Sequence, residues 1–176
     1  GLLHNFKAQA KITTAVGNID LIGSSNRENP QDNITYQAKI NSKQFDIGKF
    51  LGIEILGNGA LNVDAKAKVG DLKNLKCDLI ANLENFEING NRYNSIEVEG
   101  EMKEGIISAQ CDIFDQAAMV NLNCEMDLMN NMATVLRADL NEVNLQKMNF
   151  FNFPDTTAVI STDLIARVNG FNLDNL

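Results

Sequence analysis

The sequence predicts an all-β fold: mainly antiparallel strands curled into an elongated, apolar-lined trough, with one or two short helical turns. Three observations predict it. Apolar and polar residues alternate with period two through most of the chain, as they do in strands with one covered face. Glycine and asparagine turn signals separate the alternating runs. The apolar positions are rich in alanine, which leaves room on that face where a packed interior wants bulk. A β-sandwich, with a second sheet over the apolar face, is the alternative architecture.

Taken in chain order, Phe6, Ala8, Ala10 and Ile12 alternate with Lys7, Gln9 and Lys11. Ile34, Tyr36, Ala38 and Ile40 alternate with Thr35, Gln37 and Lys39. Leu61, Val63, Ala65, Ala67 and Val69 alternate without exception against Asn62, Asp64, Lys66 and Lys68. Cys77, Leu79, Ala81 and Leu83 follow, with Ile80 as the one defect. Ile107, Ala109, Cys111 and Ile113 continue the pattern, then Val120, Leu122, Cys124, Met126 and Leu128. Leu136, Ala138 and Leu140 come next, and Ile160, Thr162, Leu164, Ala166 and Val168 close the series. At helical spacing each of these sets would smear around the axis. Gly17-Asn18, Gly57-Asn58-Gly59, Asn89-Gly90-Asn91 and Glu104-Gly105 are the clearest turns, so the strands are expected to pair with their sequence neighbours. The polar stretch at positions 24–32 is the longest insertion and a candidate for mobility.

Two segments break the alternation. Each follows a strand and suits a strand end entering a helical turn: Phe45–Leu51 and Val143–Phe151. Such a segment anchors a corner of the core or plugs one end of an apolar channel. Ala38-Lys39-Ile40-Asn41 leads into the first and Ala138-Asp139-Leu140-Asn141 into the second. A long strand follows each, ending in Val69-Gly70-Asp71-Leu72 or Val168-Asn169-Gly170-Phe171. This is an internal repeat with a period of roughly a hundred residues. The expected layout is one full repeat at about 34–133 with partial repeats at 1–33 and 134–176, a piece of a longer array.

Composition excludes several functions. The 176 residues carry a net charge of −8, and the isoelectric point is near 4.6. No basic footprint exists for nucleic acid, and docking on an anionic membrane surface is disfavoured. Aromatics are 6% and tryptophan is absent, which argues against a base-stacking or sugar platform. Two prolines, Pro30 and Pro154, argue against a disordered chain.

The sequence reads as non-catalytic. Its one histidine, His4, leaves a Ser-His-Asp or Cys-His arrangement nothing else to use. Asp64, Glu97, Glu99, Glu125 and Asp127 fall on polar strand faces and read as a solvated surface. Asp112-Ile113-Phe114-Asp115 lacks the glycine and terminal glutamate of a calcium loop. Neither metal nor cofactor is expected. Cys77, Cys111 and Cys124 form no CxxC, and all three fall at apolar positions, where they read as small buried hydrophobes. A Cys111–Cys124 bridge across a hairpin is the competing reading.

An apolar trough has a physical use. Removing one methylene from water is worth about 0.8 kcal/mol, so a long acyl chain carries on the order of 10 kcal/mol. A continuous apolar lining removes most of that barrier and, being non-directional, allows sliding. The candidate lining is Ile34, Tyr36, Ala38, Leu61, Val63, Ala65, Leu79, Ala81, Ile107, Val120, Leu122, Met126, Leu136 and Leu164. Sheet edges offer a second use, since they accept an unfolded β-strand by augmentation.

The strand feeding Phe45-Asp46-Ile47-Gly48-Lys49-Phe50-Leu51, followed by Leu56-Gly57 and the strand from Gly59 to Val69, resembles the recurring unit of TamB/AsmA-like envelope proteins. Cys77–Ile88, Asn89-Gly90-Asn91-Arg92-Tyr93-Asn94-Ser95-Ile96, and Glu99-Gly100 followed by Gly105 look like the next part of that unit. The resemblance covers nearly the whole chain through loose patterns. It implies a protein of the periplasm and cell envelope, anchored in the inner membrane through a segment absent from this sequence. It implies curled β-sheet with an apolar interior, phospholipid transport between the membranes, and support of outer-membrane protein assembly and secretion with an Omp85-type partner. The family has no catalytic residues to carry over. The expected clients are phospholipid acyl chains or unfolded β-barrel precursor strands; a structural scaffold or protein-interaction module without lipid is the alternative.

Overall fold

The computed structural model describes residues 5–27, 33–68, 75–115, 118–147 and 158–169. Ten strands form one antiparallel sheet in strict chain order. They are β1 Lys7–Thr14, β2 Gly17–Asn26, β3 Thr35–Asp46, β4 Asn58–Lys68 and β5 Lys76–Ile88. Then come β6 Asn91–Lys103, β7 Ile106–Asp115, β8 Ala118–Asp127, β9 Ala133–Asn144 and β10 Val159–Val168. One short helix, α1 Ile47–Leu51, follows β3. Extensive strand contacts run between sequence neighbours alone. Among the described residues, β1 pairs with β2 and β10 with β9 and neither meets the other, so the sheet stays open. Among the described residues no second sheet covers this one, so the sandwich alternative is not what forms.

Turn chemistry sets the meander. Asn89-Gly90 and Glu104-Gly105 are two-residue hairpin turns with positive φ at both positions, 51° and 78° in the first and 54° and 80° in the second. That geometry matches the right-handed twist of the flanking strands and favours asparagine and glycine. Between β1 and β2, the Thr14 hydroxyl donates to the Gly17 carbonyl at 2.8 Å and accepts from the Val16 N–H at 3.2 Å.

Because side chains directly opposite each other share a face, the registers determine what gathers there. Within the described strands, the alternating apolar sets fall on one face. Ile80 points the other way, opposite Asp64 and Glu99, and is 50% exposed. The strict alternation ends near the C-termini of three odd-numbered strands. The pairing of β3 with β4 shifts between Ser42 and Phe45, while Asn85 in β5 and Glu142 in β9 adopt left-handed backbone. Each change of phase places a residue of the other parity in the interior: Phe45, Phe86 and Val143 are all buried. Phe86 packs with Tyr93 and Ile96, and Ile47, Leu56 and Ile113 press against this cluster. Val143 packs with Ala118 and Val120 beside Leu122 and Leu140. Both packed clusters therefore sit at one end of the strands, the end that α1 caps, while Ile34 ahead of β3 and Ala81 within β5 are buried apart from them.

α1 exists because its start is capped and its second residue is glycine. The Asp46 carboxylate accepts from the Lys49 N–H at 2.9 Å. Gly52, in left-handed backbone, closes the helix. A Cβ on Gly48 would fall on the Leu56 carbonyl. The second segment expected to form helical turns is described only to Lys147, where Asn144 Oδ1 accepts from the Lys147 N–H at 3.0 Å. The expectations for His4, for the prolines and for most of the stretch at 24–32 fall outside the described residues.

Candidate functional site: a furrow across the apolar face

The registers align four rows of side chains across the strands. One row runs Ala8, Gly23, Ala38, Ala65, Leu79, Gly100, Ala109, Cys124, Leu136, Ala166, each opposite the next. Only Leu79 and Leu136 in it are large. The row on its capped-end side is bulkier, with Leu21, Ile40, Val63, Val98, Leu122 and Leu164. The row on the other side carries Tyr36, Met102, Ile107 and Met126. Small side chains between taller ones make a furrow that runs perpendicular to the strands, interrupted at β5 and β9, where Leu79 stands between Cys77 and Ala81 and Leu136 between Thr134 and Ala138. Nine inter-strand steps of about 4.8 Å make it roughly 43 Å long.

The face along this furrow is not a closed core. Leu79, Leu136 and Leu164 are 36%, 42% and 53% exposed, whereas Ile96 and Val120 at the capped end are 4% and 6% exposed. At the β1–β4 end the furrow widens into a depression of about 380 Å³ lined by Phe6, Ala8, Ala10, Leu21, Tyr36, Ala38 and Ala65 among others. The opposite face carries a larger depression of about 570 Å³, but Asp78, Glu99, Glu101, Ser108, Glu125 and Arg137 make it polar. Among the described residues no three histidine, cysteine, aspartate or glutamate side chains gather into a metal-binding group.

Of the residues expected to line a trough, Ala38, Ala65, Leu79 and Leu136 lie in the furrow row. Val63, Ala81, Leu122 and Leu164 form part of one flank, and Tyr36, Ile107 and Met126 part of the other. Leu61 and Val120 lie nearer the capped end, and Val120 belongs to the buried core there. Ile34 is buried just ahead of β3. Leu21 and Gly23 of β2, and Val98, Gly100 and Met102 of β6, belong to the same surface and were not among the expected lining. The alternation of Ile96, Val98, Gly100 and Met102 is a signal that finds the β6 members.

The three cysteines are free thiols on this face. Cys111 stands opposite Leu122 and Cys124 opposite Ala109, so the two are out of register and the competing bridge does not form. Burial, with Asp112 alongside, pushes the Cys111 thiol above its ordinary pKa. Burial likewise raises the Tyr93 phenol, with the Asp115 charge adding to the effect.

Comparison with family models, with curated proteins and with solved structures gives no match.

Proposed function

We propose that this chain is a non-catalytic segment of an envelope protein whose open apolar face shields lipid acyl chains in transit between two membranes. The observation that carries the proposal is the furrow. It is apolar, it is floored by small side chains, and it runs along the direction in which the sheet grows. An acyl chain lying across the strands trades water for apolar walls at every step, at about 0.8 kcal/mol per methylene. With no polar anchor in the row, no position holds it more tightly than the next. A role in outer-membrane protein assembly with an Omp85-type partner, and placement in the periplasm, come with the resemblance to TamB/AsmA-like proteins.

Two further features support a repeating array. β3 and β9 are each 12 residues long. Both end in the same hydrogen bonds: Asp46 and Asn144 cap Lys49 and Lys147, while the N–H groups of Ile47 and Leu145 donate to the carbonyls of Gly57 and Ala158 at 3.1 and 2.9 Å.

The test is native mass spectrometry after incubation with bacterial phospholipid. Ala109→Asp, in the furrow, is expected to lose bound lipid while circular dichroism stays strand-rich. Ile80→Asp, the same charge on the other face, is expected to keep it. Lipid-free wild-type protein, or equal loss in both variants, refutes the proposal and favours the scaffold.

A further inference from the structure

The open end of the strands, opposite α1, carries a row of like charge. Lys68 is the last residue of β4, Lys76 the first of β5 and Lys103 the last of β6. Lys68 stands opposite Lys76, and Lys76 opposite Lys103. All three are exposed, and none makes an ion pair among the described residues. Like charges directly opposite each other destabilise a sheet. Three other lysines of this sheet face acids instead: Lys11 meets Asp20 at 3.7 Å, Lys39 meets Asp64 at 2.6 Å, and Lys66 stands opposite Asp78. In a chain of net charge −8, acids set against acids, such as Asp78 against Glu101, follow from composition; three facing lysines do not.

The row adjoins the furrow. Each lysine is next in sequence to a residue on the furrow's open side: Ala67, Cys77 and Met102. The furrow positions of the same strands, Ala65, Leu79 and Gly100, lie three residues further in, about 10 Å along the strands. Leu79 interrupts the furrow, so the depression that spans β1–β4 ends beside these lysines. An acyl chain seated there with its head toward β5 brings its phosphate within reach of the flexible lysine stems. Asp78 and Glu101 stand one row inward on the polar face and keep an anion off that face, which leaves it the rim. Glu104, in the turn after Lys103, biases an anion toward the β4–β5 side of the row.

We propose that Lys68, Lys76 and Lys103 form a headgroup site for the phosphate of an acyl lipid whose chain occupies the β1–β4 depression. The site rests on the reading of the furrow as an acyl-chain surface and adds a selection for phosphate-bearing lipid. Each ammonium offers three donors to phosphate oxygens, and the bound anion screens the three charges from one another. Lysine holds phosphate as a point charge, which suits a head that is taken up and released. The furrow itself stays without a polar anchor, so the chain slides while the rim gives the headgroup a resting position.

The experiment is native mass spectrometry with phosphatidic acid and diacylglycerol of the same acyl chains, which differ by the phosphate alone. Wild-type protein is expected to bind phosphatidic acid roughly tenfold better, the ratio that about one net charge-assisted hydrogen bond supplies. Combining Lys68→Gln, Lys76→Gln and Lys103→Gln is expected to abolish the preference and keep diacylglycerol, with the urea midpoint equal to or above wild type because the repulsion is gone. Should that variant unfold, Lys76→Gln takes its place and is expected to shrink the preference. Combining Lys7→Gln, Lys11→Gln and Lys66→Gln removes the same charge elsewhere and is expected to keep it. Inorganic phosphate at the lipid concentration is expected not to displace phosphatidic acid. Equal binding of both lipids by wild type overturns the headgroup site and leaves the furrow reading standing; binding of neither overturns both. A preference that survives loss of the three lysines, one lost equally in the control variant, or displacement by free phosphate each overturns the headgroup site alone.

Discussion

Removing the same amount of side chain at the two ends of the apolar face is expected to have unequal consequences. Ile96 is 4% exposed and packs in one cluster with Phe86 and Tyr93, against which Val98, Cys111 and Ile113 also press. Truncation there leaves a void that the neighbouring strands cannot collapse around, because their backbones are held by pairing on both sides. Ile96→Ala should cost about 3 kcal/mol, in the middle of the range for buried aliphatic truncations. Leu136 is 42% exposed, so a little over half of its surface is removed from water. Burying a whole leucine side chain is worth roughly 2 kcal/mol, and an open furrow adds no cavity penalty, so Leu136→Ala should cost about 1 kcal/mol. Urea unfolding followed by circular dichroism measures both, with the slope checked for constancy. Equal costs, or a larger cost at Leu136, would refute the division of this face into a core and an open furrow.

Three other outcomes follow from local geometry. Gly48→Ala places a methyl on the Leu56 carbonyl and should cost about 1–3 kcal/mol, whereas Gly23→Ala meets nothing within 4 Å and should fall within about 0.5 kcal/mol of wild type in the same assay. The hydrogen bond from the Lys49 N–H, then that from its side chain, holds the Asp46 carboxyl below its usual range. A lowered folded-state pKa stabilises at every pH above the unfolded value, so the α1 cap should hold at neutral pH and loosen only as pH falls below the ordinary aspartate range, read as faster hydrogen exchange over α1. The Cys111 thiol, raised by burial and then by Asp112, should alkylate more slowly than a free cysteine at neutral pH and accelerate above the ordinary thiol range, measured by peptide mass after timed iodoacetamide treatment.

The sequence carried the strands wherever alternation was clean, as in β4 and β8. β2 escaped because Gly23 and Ser25 occupy its apolar-face positions while Ile22 lies on the other face, so its composition masks its phase. The phase changes at Asn85 and Glu142 were hidden because neither residue is the glycine that usually marks left-handed backbone. Without them Phe86 and Val143 read as outward-facing, and the core at the capped end does not appear. The furrow was legible only as an excess of alanine. Its shape depends on which alanine faces which across ten strands, and registers are set by turns whose lengths the periodicity does not fix. The Cys111–Cys124 reading failed for the same reason, a two-residue difference in alignment across one hairpin.

A sheet in which each strand touches only the strands before and after it in the chain needs no pairing between strands that are not chain neighbours. Closing one hairpin prepares the edge for the next strand, so order propagates from wherever the first tight turn closes, and Asn89-Gly90 and Glu104-Gly105 are the natural starting points. The same connectivity makes length an adjustable property. Inserting or deleting a whole hairpin restores strand direction and face, and leaves every other pairing as it was. A protein built this way can be lengthened or shortened to span a gap without redesigning any of its parts.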